Sequence, residues 1–286
     1  MSESLTILIA GCGDVGTTLG QQLAAQGHRV IGLRRDISKL PPEIEGIAAD
    51  LAQPDKLKLS LSALSSCDLL VYSAAASLPG EDGYRIAYTE GPQHVLNALP
   101  VKPKQLFFTS STGVYHQDDD SSVNEDSPCL PSGFRGQLMR QAEINLLEQS
   151  IPATVVRFSG IYGPGRNHLL RSVLDGKVAP ETPTQFSNRI HRDDCAGVLY
   201  HLIQRWQQGL ALEPIYLASD DCPVSMYEIT HWLADQLGVT PTEEHLARRA
   251  GSKRCDNRRL KASGYRFKFP DYKSGYTPIV AEFLAG

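Results

Sequence analysis

Residues Leu5 to Arg35 read LTILIAGCGDVGTTLGQQLAAQGHRVIGLRR. The stretch divides into strand, glycine turn, helix and strand. Leu5–Ala10 is short and almost wholly apolar, as a strand buried on both faces of a parallel sheet must be. Gly11-Cys12-Gly13-Asp14-Val15-Gly16 is a G-x-G-x-x-G turn. A helix then runs to about Gln26, with Val15, Leu19, Leu23 and Ala24 on one face and Gly27 at its end. His28–Leu33 is the second strand. In this setting one glycine permits the tight turn, one lets backbone amides approach a pyrophosphate, and one lets helix and strand pack closely. The anion then sits at the helix N-terminus, where the helix dipole favours negative charge. Gly11, Gly13, Asp14, Val15 and Gly16 are therefore expected to bind a dinucleotide.

The end of the second strand selects the dinucleotide. An NAD site wants an acid there for the ribose 2′-hydroxyl, whereas an NADP site wants arginine for the 2′-phosphate. Arg34-Arg35 comes first and Asp36 after it. This favours NADP. Asp36 turning inward would instead serve NAD, and both arginines could simply be solvated.

Working outward, strand and helix alternate for about 160 residues, the pattern of a doubly wound α/β fold. Gly46–Ala49 is a third strand ending at Asp50-Leu51, and Pro54–Leu64 a helix. Asp68–Ala74 is a fourth strand running into Ala74-Ala75-Ala76, small residues that suit either a flat ligand or close packing. A helix from Glu81 to Leu99, a strand Gln105–Ser110, a polar loop Asp118–Gly133, a helix Arg135–Gln149 and a strand Ala153–Phe158 follow. After a glycine-rich loop, Gly160–Gly165, helices are expected at Leu169–Leu174, Asp193–Gln207 and Met226–Leu237, the last capped by Ser225. Pro214–Ala218 is one more strand. The expected division is a dinucleotide-binding domain at 1–160, with 189–218 returning to it, and a smaller substrate lobe at 161–188 and 219–286.

Composition narrows the class. The chain is 286 residues, 41% hydrophobic and 21% charged, with a net charge of −4. That is ordinary for a globular protein and gives no basic field for nucleic acid. Six scattered cysteines make no C-x-x-C, which favours a reducing, cytoplasmic setting. No apolar run approaches the roughly 18 residues of a membrane span, and the start does not read as a signal peptide. No H-E-x-x-H, G-x-S-x-G or calcium-loop spacing points to a metal or a serine nucleophile.

Five motifs in order give the chain a family resemblance: GCGDVG, Asp50-Leu51, Thr109-Ser110-Ser111-Thr112-Gly113-Val114-Tyr115, R-x-x-x-I-Y-G-P-G-R at Arg157–Arg166, and H-x-x-D at His191–Asp194. Together they resemble the extended short-chain dehydrogenases/reductases, and more closely the NAD-dependent epimerase/dehydratase type. The resemblance implies a Rossmann-type fold and adds Asp50, Leu51, Ala74, Ala75 and Ser110 to the cofactor contacts. It also implies hydride transfer assisted by a Ser or Thr hydroxyl, a Tyr acid/base and a Lys that lowers the phenol's pKa. Ser111 falls at the hydroxyl position. The Tyr and Lys positions fall on Arg135 and Met139, and the family's frequent Asn on the preceding helix falls on Tyr88. Met139 cannot depress a phenol pKa and Arg135 stays protonated. The chain therefore resembles an atypical branch, with the cofactor pocket kept and the usual acid/base pair absent.

Tyr115 and Tyr162, at strand ends, are candidate substitute acids. His191 is a candidate proton donor or a buried structural histidine. Arg166 suits an anionic substrate group or an ion pair. The basic tail, Arg248, Arg249, Lys253, Arg254, Arg258 and Arg259, reads as a solvated face or a cover for a nucleotide. Two functions remain open: an enzyme of this type acting on a small or nucleotide-linked substrate with a rearranged acid/base, and a non-catalytic NADP-binding sensor or scaffold. A homodimer through paired helices is what the resemblance implies for assembly.

Overall fold

The computed structural model describes residues 3–245 and 251–285. Its centre is a seven-stranded sheet of β1 (Thr6–Ala10), β2 (Arg29–Arg34), β3 (Glu45–Ala48), β4 (Leu69–Tyr72), β5 (Gln105–Ser111), β6 (Ala153–Phe158) and β7 (Ile215–Ala218). The order across it is β7-β6-β5-β4-β1-β2-β3, and β1 is parallel to both β2 and β4. Every residue of β1 and of β4 is buried, which is why both are unbroken apolar runs rather than alternating ones. The fold class is thus the doubly wound, Rossmann-type α/β architecture expected from the sequence.

Strand order reverses between β1 and β4, since β2 and β3 extend to one side and β4 and β5 to the other. Ligands of open α/β sheets bind at the carboxyl ends of strands at such a switch point. Here the glycine turn leaves β1 and the alanine run leaves β4.

The chain forms two compact units. The first comprises residues 1–114, 130–157 and 196–216, and the second 115–129, 158–195 and 217–286. In the first unit, α1 (Asp14–Ala25) follows the glycine turn and α2 (Pro54–Leu61) follows β3. The long helix expected at 81–99 is interrupted: α3 (Gly80–Tyr84) passes through a π turn at Arg85–Glu90 into α4 (Gly91–Ala98). The cause is Tyr72. Its buried phenol donates to the Ala87 carbonyl at 2.5 Å, drawing that carbonyl away from the helical ladder. A side chain at Gly91 would collide with the same phenol and come 2.7 Å from the Ile86 carbonyl oxygen, so only glycine fits. π turns of this kind mark places where a side chain inserts into a helix.

α5 (Phe134–Leu147) begins at a bare Gly133 N-cap. Inside the unit Glu143, fully buried, accepts from Arg157 Nε and Nη2 at 2.9 and 2.8 Å, from Arg140 at 2.9 Å and from Ser110 Oγ at 2.6 Å. A buried bidentate pair of this kind ties α5 to β5 and β6.

The second unit has its own core, from α6 (His168–Leu174), α8 (Met226–Leu237) and α10 (Tyr272–Ala285). α7 (Arg192–Gln207) lies between α6 and α8 in the chain, and α9 (Arg258–Ala262) precedes α10. Ser225 caps α8 as expected, accepting from Glu228 N at 3.0 Å. Tyr162 stacks on Tyr276 with ring centroids 4.4 Å apart, and the absence of a side chain at Gly275 lets its phenol in. Several elements were not anticipated. Gly160–Tyr162, read as loop, pairs in parallel with Arg189–His191. Residues 272–285, in the tail to which the sequence assigned no element, form α10. All six cysteines are free, and no described helix is long and apolar enough to cross a membrane.

Candidate functional site

At the switch point a cavity of about 440 Å³ is lined by Gly11, Gly13, Asp14, Arg34, Arg35, Asp50, Leu51, Ala74 and Ala75, and also by Cys12, Asp36, Lys39 and Gly83. Gly11 has φ +81, the left-handed region, and a side chain there would run into the Ala74 backbone. The turn is held by its own backbone: Gly11 N and Cys12 N donate to the Leu33 carbonyl at 3.0 and 3.2 Å, and Gly13 N to the Gly11 carbonyl at 2.7 Å. Ser73 Oγ donates to the same Gly11 carbonyl at 3.0 Å. Gly16 does not line the cavity. A side chain there would press on Ile9 at 3.0 Å and Ser73 at 3.1 Å, so its smallness serves helix–strand packing. Val15 is buried, and Ser110 points to Glu143. Of the alanine run, Ala74 packs closely against Gly11, and Ala74 and Ala75 border the cavity.

Cations gather where β2 ends. Arg34 is half-buried, with Nη1 donating to the Cys12 carbonyl at 3.0 Å. Arg35 and Lys39 are exposed along the cavity rim. Asp36 is bonded locally: its carboxylate accepts from Ser38 N at 3.2 Å and Ser38 Oγ at 2.6 Å, and pairs with Lys39 at 3.5 Å. Its pKa is lowered by the Ser38 hydroxyl above all. Asp50 likewise accepts from Ala52 N at 3.0 Å, capping the turn before α2.

The proposed catalytic positions are scattered. Ser111 Oγ accepts from Gly113 N at 3.1 Å. Tyr115 is buried. Arg135 is exposed at the start of α5, its guanidinium 5.4 Å from the centroid of the Tyr84 ring, while Met139 is buried. Tyr88 packs against Tyr84 at 5.2 Å, and burial pushes its phenol pKa up.

A second cavity, of about 1000 Å³, lies within the second unit. Tyr162 and Arg166 line it, and His191 does not. The walls add Arg171, Lys177, His168, His245 and Arg189, against a single acid, Asp175. Arg189 is 4% exposed. One nitrogen donates to Tyr276 Oη at 3.2 Å and another reaches Met226 sulfur at 3.6 Å, while Nε is buried with no partner. Asp220, also buried, is pushed up to about 8 by burial, with the Arg189 charge acting in the opposite direction. Arg189 is the residue a sequence reading misses, since the short strand Arg189–His191 that buries it lies between polar residues, Asn188 and Arg192.

The H-x-x-D residues are structural. His191 Nδ1 accepts from Asp193 N at 3.1 Å, so the ring is the neutral Nε2–H tautomer and its 3.9 Å approach to Asp193 is no ion pair. It lies 4.0 Å from the Phe269 ring, and burial lowers its pKa to about 4. Asp194 accepts from Tyr265 Oη, Lys268 N and Phe269 N at 2.7, 2.8 and 2.9 Å, tying down that loop. Tyr162, with its pKa raised chiefly by burial, is packed rather than poised. In the tail, Arg258 pairs with Asp256 and Arg259 with Asp126, whereas Lys253 is buried rather than solvated. Arg248 and Arg249 lie outside the described residues.

The comparisons with known proteins agree with this geometry. The profile of the NAD dependent epimerase/dehydratase family matches residues 7–214, and the chain belongs to that family. A solved structure from Methylobacillus flagellatus assigned to the same class is 37% identical, with a TM-score of 0.83 over 99% of this chain and 100% of that one. A 3-diazoavenalumate denitrifying reductase from Streptomyces sp. is 25% identical, covering 83% of each chain. The human epimerase family protein SDR39U1 is 25% identical over 95% of this chain and 98% of its own. The Rossmann-type unit with its glycine-turn cavity is thus an NAD(P)-binding fold, and the residues around it fit such a cofactor: a side-chain-free turn, a close strand end at Ala74 and a polar rim.

Proposed function

We propose that the chain is an NADP-using enzyme of the epimerase/dehydratase type that acts on a small anionic substrate. The observation that carries the reading is Arg189, a buried guanidinium with an unpartnered Nε on the wall of a cation-lined cavity. A buried donor without an acceptor costs about 1–3 kcal/mol, more when charged, so such a group is retained where a ligand completes it. A carboxylate or phosphate is the class of ligand that a guanidinium takes in two parallel bonds. The named function of the Streptomyces relative, a reductase, supports hydride chemistry for this chain as well.

The choice of NADP over NAD rests on Arg34, Arg35 and Lys39 at the β2 end, and on Asp36 being bonded to Ser38 and Lys39. When bound, the nicotinamide supplies or accepts the hydride. The chain's part is to hold the dinucleotide on the Gly11–Gly16 turn and to orient an anionic substrate at Arg189 and Arg166. Ser111 is the hydroxyl candidate for the reacting oxygen. The usual Tyr/Lys pair is replaced by Arg135 and Met139, so the proton comes from another group. That same replacement favours a second reading, a cofactor-binding sensor.

The test is a fluorescence titration of NADPH and NADH, followed by a screen of anionic carbonyl compounds and nucleotide sugars for spectral change of bound cofactor. Binding of neither dinucleotide would overturn the proposal. Tight NADPH binding with no turnover across a broad panel would favour the sensor.

A further inference from the structure

The π turn at Arg85–Glu90 belongs to the glycine-turn cavity. Gly83 precedes it, Ile86 and Ala87 lie within it, and all three line that cavity. π turns are rare, and they occur most often at functional sites. Part of the cost of this one is visible: Thr89 Oγ1 is buried and has no hydrogen-bond partner among the described residues.

Three residues hold the turn in its register. Gly91 N donates five residues back, to the Ile86 carbonyl. The same register would assign the Ala87 carbonyl to residue 92, but Pro92 has no N–H. The Tyr72 hydroxyl supplies the missing donor at 2.5 Å. Its ring is fixed in place, fully buried and stacked on Phe108 with centroids 5.9 Å apart. Gly91, with no side chain, leaves room for the phenol.

Tyr72 ends β4, and the next three residues, Ser73, Ala74 and Ala75, line the cavity themselves. One strand end thus supplies a stretch of cavity wall directly and fixes a second stretch, in the turn, through the phenol. With the hydroxyl removed, the Ala87 carbonyl can be satisfied from this helix only by Gly91 N, which is the α register. That change rotates the preceding residues by about 100° against α4, one residue's share of a helical turn. Ile86 and Ala87 then leave the cavity wall.

We propose that Tyr72 is a positioning residue for the dinucleotide: its hydroxyl holds the Arg85–Glu90 turn in the register that sets Ile86 and Ala87 against the cofactor. This role rests on the cavity being the dinucleotide's own. It needs neither turnover nor a preference between NADP and NAD.

NADPH and NADH are titrated by fluorescence into the full-length wild type, Y72F, I86A and the Y72F/I86A double variant. Y72F keeps the packed ring and removes only the hydroxyl. The expected result is a loss of about tenfold in affinity in Y72F, equal for the two dinucleotides because the wall meets the part they share. I86A should weaken both by less. The double variant should bind no more weakly than Y72F, since both changes act on one wall. A general loss of stability would instead leave the two effects additive. Unchanged affinities in Y72F, or losses that add in the double variant, overturn the proposal. A second measurement needs no substitution: in the wild type, hydrogen exchange over residues 85–91 should slow when NADPH binds. Exchange there that saturating NADPH leaves unchanged also overturns it. Binding of neither dinucleotide by the wild type defeats the cofactor reading and the role of Tyr72 together, whereas tight wild-type binding with an unaltered Y72F defeats the second alone.

Discussion

Two arginines, one in each unit, are buried to nearly the same depth, and their surroundings differ in kind. Arg157 makes two charged bonds to Glu143, and that carboxylate also accepts from Arg140 and Ser110. Arg189 has a phenol, a thioether sulfur and an empty Nε. The difference extends to the two cavities. Around the glycine turn the polar groups are bonded to one another, and a ligand is met by backbone shape: Gly11, Gly13 and the Ala74 strand end. Around Arg189 the walls are long cationic side chains, and the buried groups include Asp220, whose Oδ2 also lacks a partner. In the first unit the buried Arg157 has a bidentate carboxylate partner, whereas in the second the buried Arg189 and Asp220 each keep one side-chain atom without a hydrogen-bond partner.

The largest effect expected from this contrast is at Glu143. Replacing it by Ala leaves Arg157, 1% exposed, without its counter-charge, and should cost about 3–5 kcal/mol in urea or thermal unfolding. A loss below about 1 kcal/mol, the scale of an ordinary hydrogen bond, would mean that the network is not the anchor it looks to be. The opposite substitution in the second unit should behave differently. Arg189→Met removes the unpartnered Nε together with the donor to Tyr276 Oη and the cation near Asp220, so the gain and the loss offset in part and the cost should stay below about 2 kcal/mol. If Arg189→Met destabilised as strongly as Glu143→Ala, the claimed incompleteness of the second unit would fail.

His191 adds a pH dependence. Its folded pKa, about 4, lies below the unfolded value near 6.5. The folded state thus binds fewer protons, and the stability this gives is present above the unfolded pKa and is lost as pH falls from about 6.5 through 4. The full span corresponds to roughly 3 kcal/mol. Unfolding free energy measured across pH 4–7 should show this fall in the wild type and a shallower one in His191→Asn. Parallel slopes would assign the acid lability to other groups.

How much of this could be read beforehand follows from the same contrast. The sheet was legible because β1, β2 and β4 are contiguous apolar runs, and the glycine turn because a pyrophosphate site needs small residues at fixed spacing. The π turn was not, since it arises from Tyr72 reaching Ala87 fifteen residues on, a contact that periodicity does not encode. α10 was obscured by Pro278 within it and by its mixture of tyrosines and polar residues. The burial of Arg189 and Lys253 was invisible for a different reason. Charged residues are almost always at the surface, so a charged letter is read as solvated unless a partner stands nearby in sequence. The nearby acids, Asp193 and Asp256, are bonded to other groups, Arg192 and Arg258 among them. The H-x-x-D motif left two readings for His191, a proton donor or a buried structural histidine, and the bonds from Asp193 N, Lys268 N, Phe269 N and Tyr265 Oη engage His191 Nδ1 and Asp194 structurally.

The smallest expected effect concerns the one part of the first unit where charge is exposed and unfinished, the β2 end. Arg34 keeps one nitrogen on the Cys12 carbonyl, which fixes the guanidinium beside the turn while leaving its other nitrogens available to a ligand. Arg35 and Lys39 stand on the same rim. A 2′-phosphate brings a charge that these cations recognise and that a 2′-hydroxyl lacks. Arg34→Ala with Arg35→Ala should therefore weaken NADPH by about tenfold or more and NADH by much less, at low ionic strength where exposed ion pairs are least screened. Raising the salt should narrow the wild-type preference in the same direction. Lys39→Ala should add a smaller loss, and it has a side effect that can be read separately. Asp36 then loses its lysine partner, keeps the two Ser38 bonds, and is the acid positioned to accept a ribose hydroxyl. An NADH affinity that rises in Lys39→Ala while NADPH falls would place Asp36 as the residue held back from NAD by its own neighbours. Equal weakening of both cofactors by the double arginine substitution would instead mean that these side chains support the turn and do not read the phosphate.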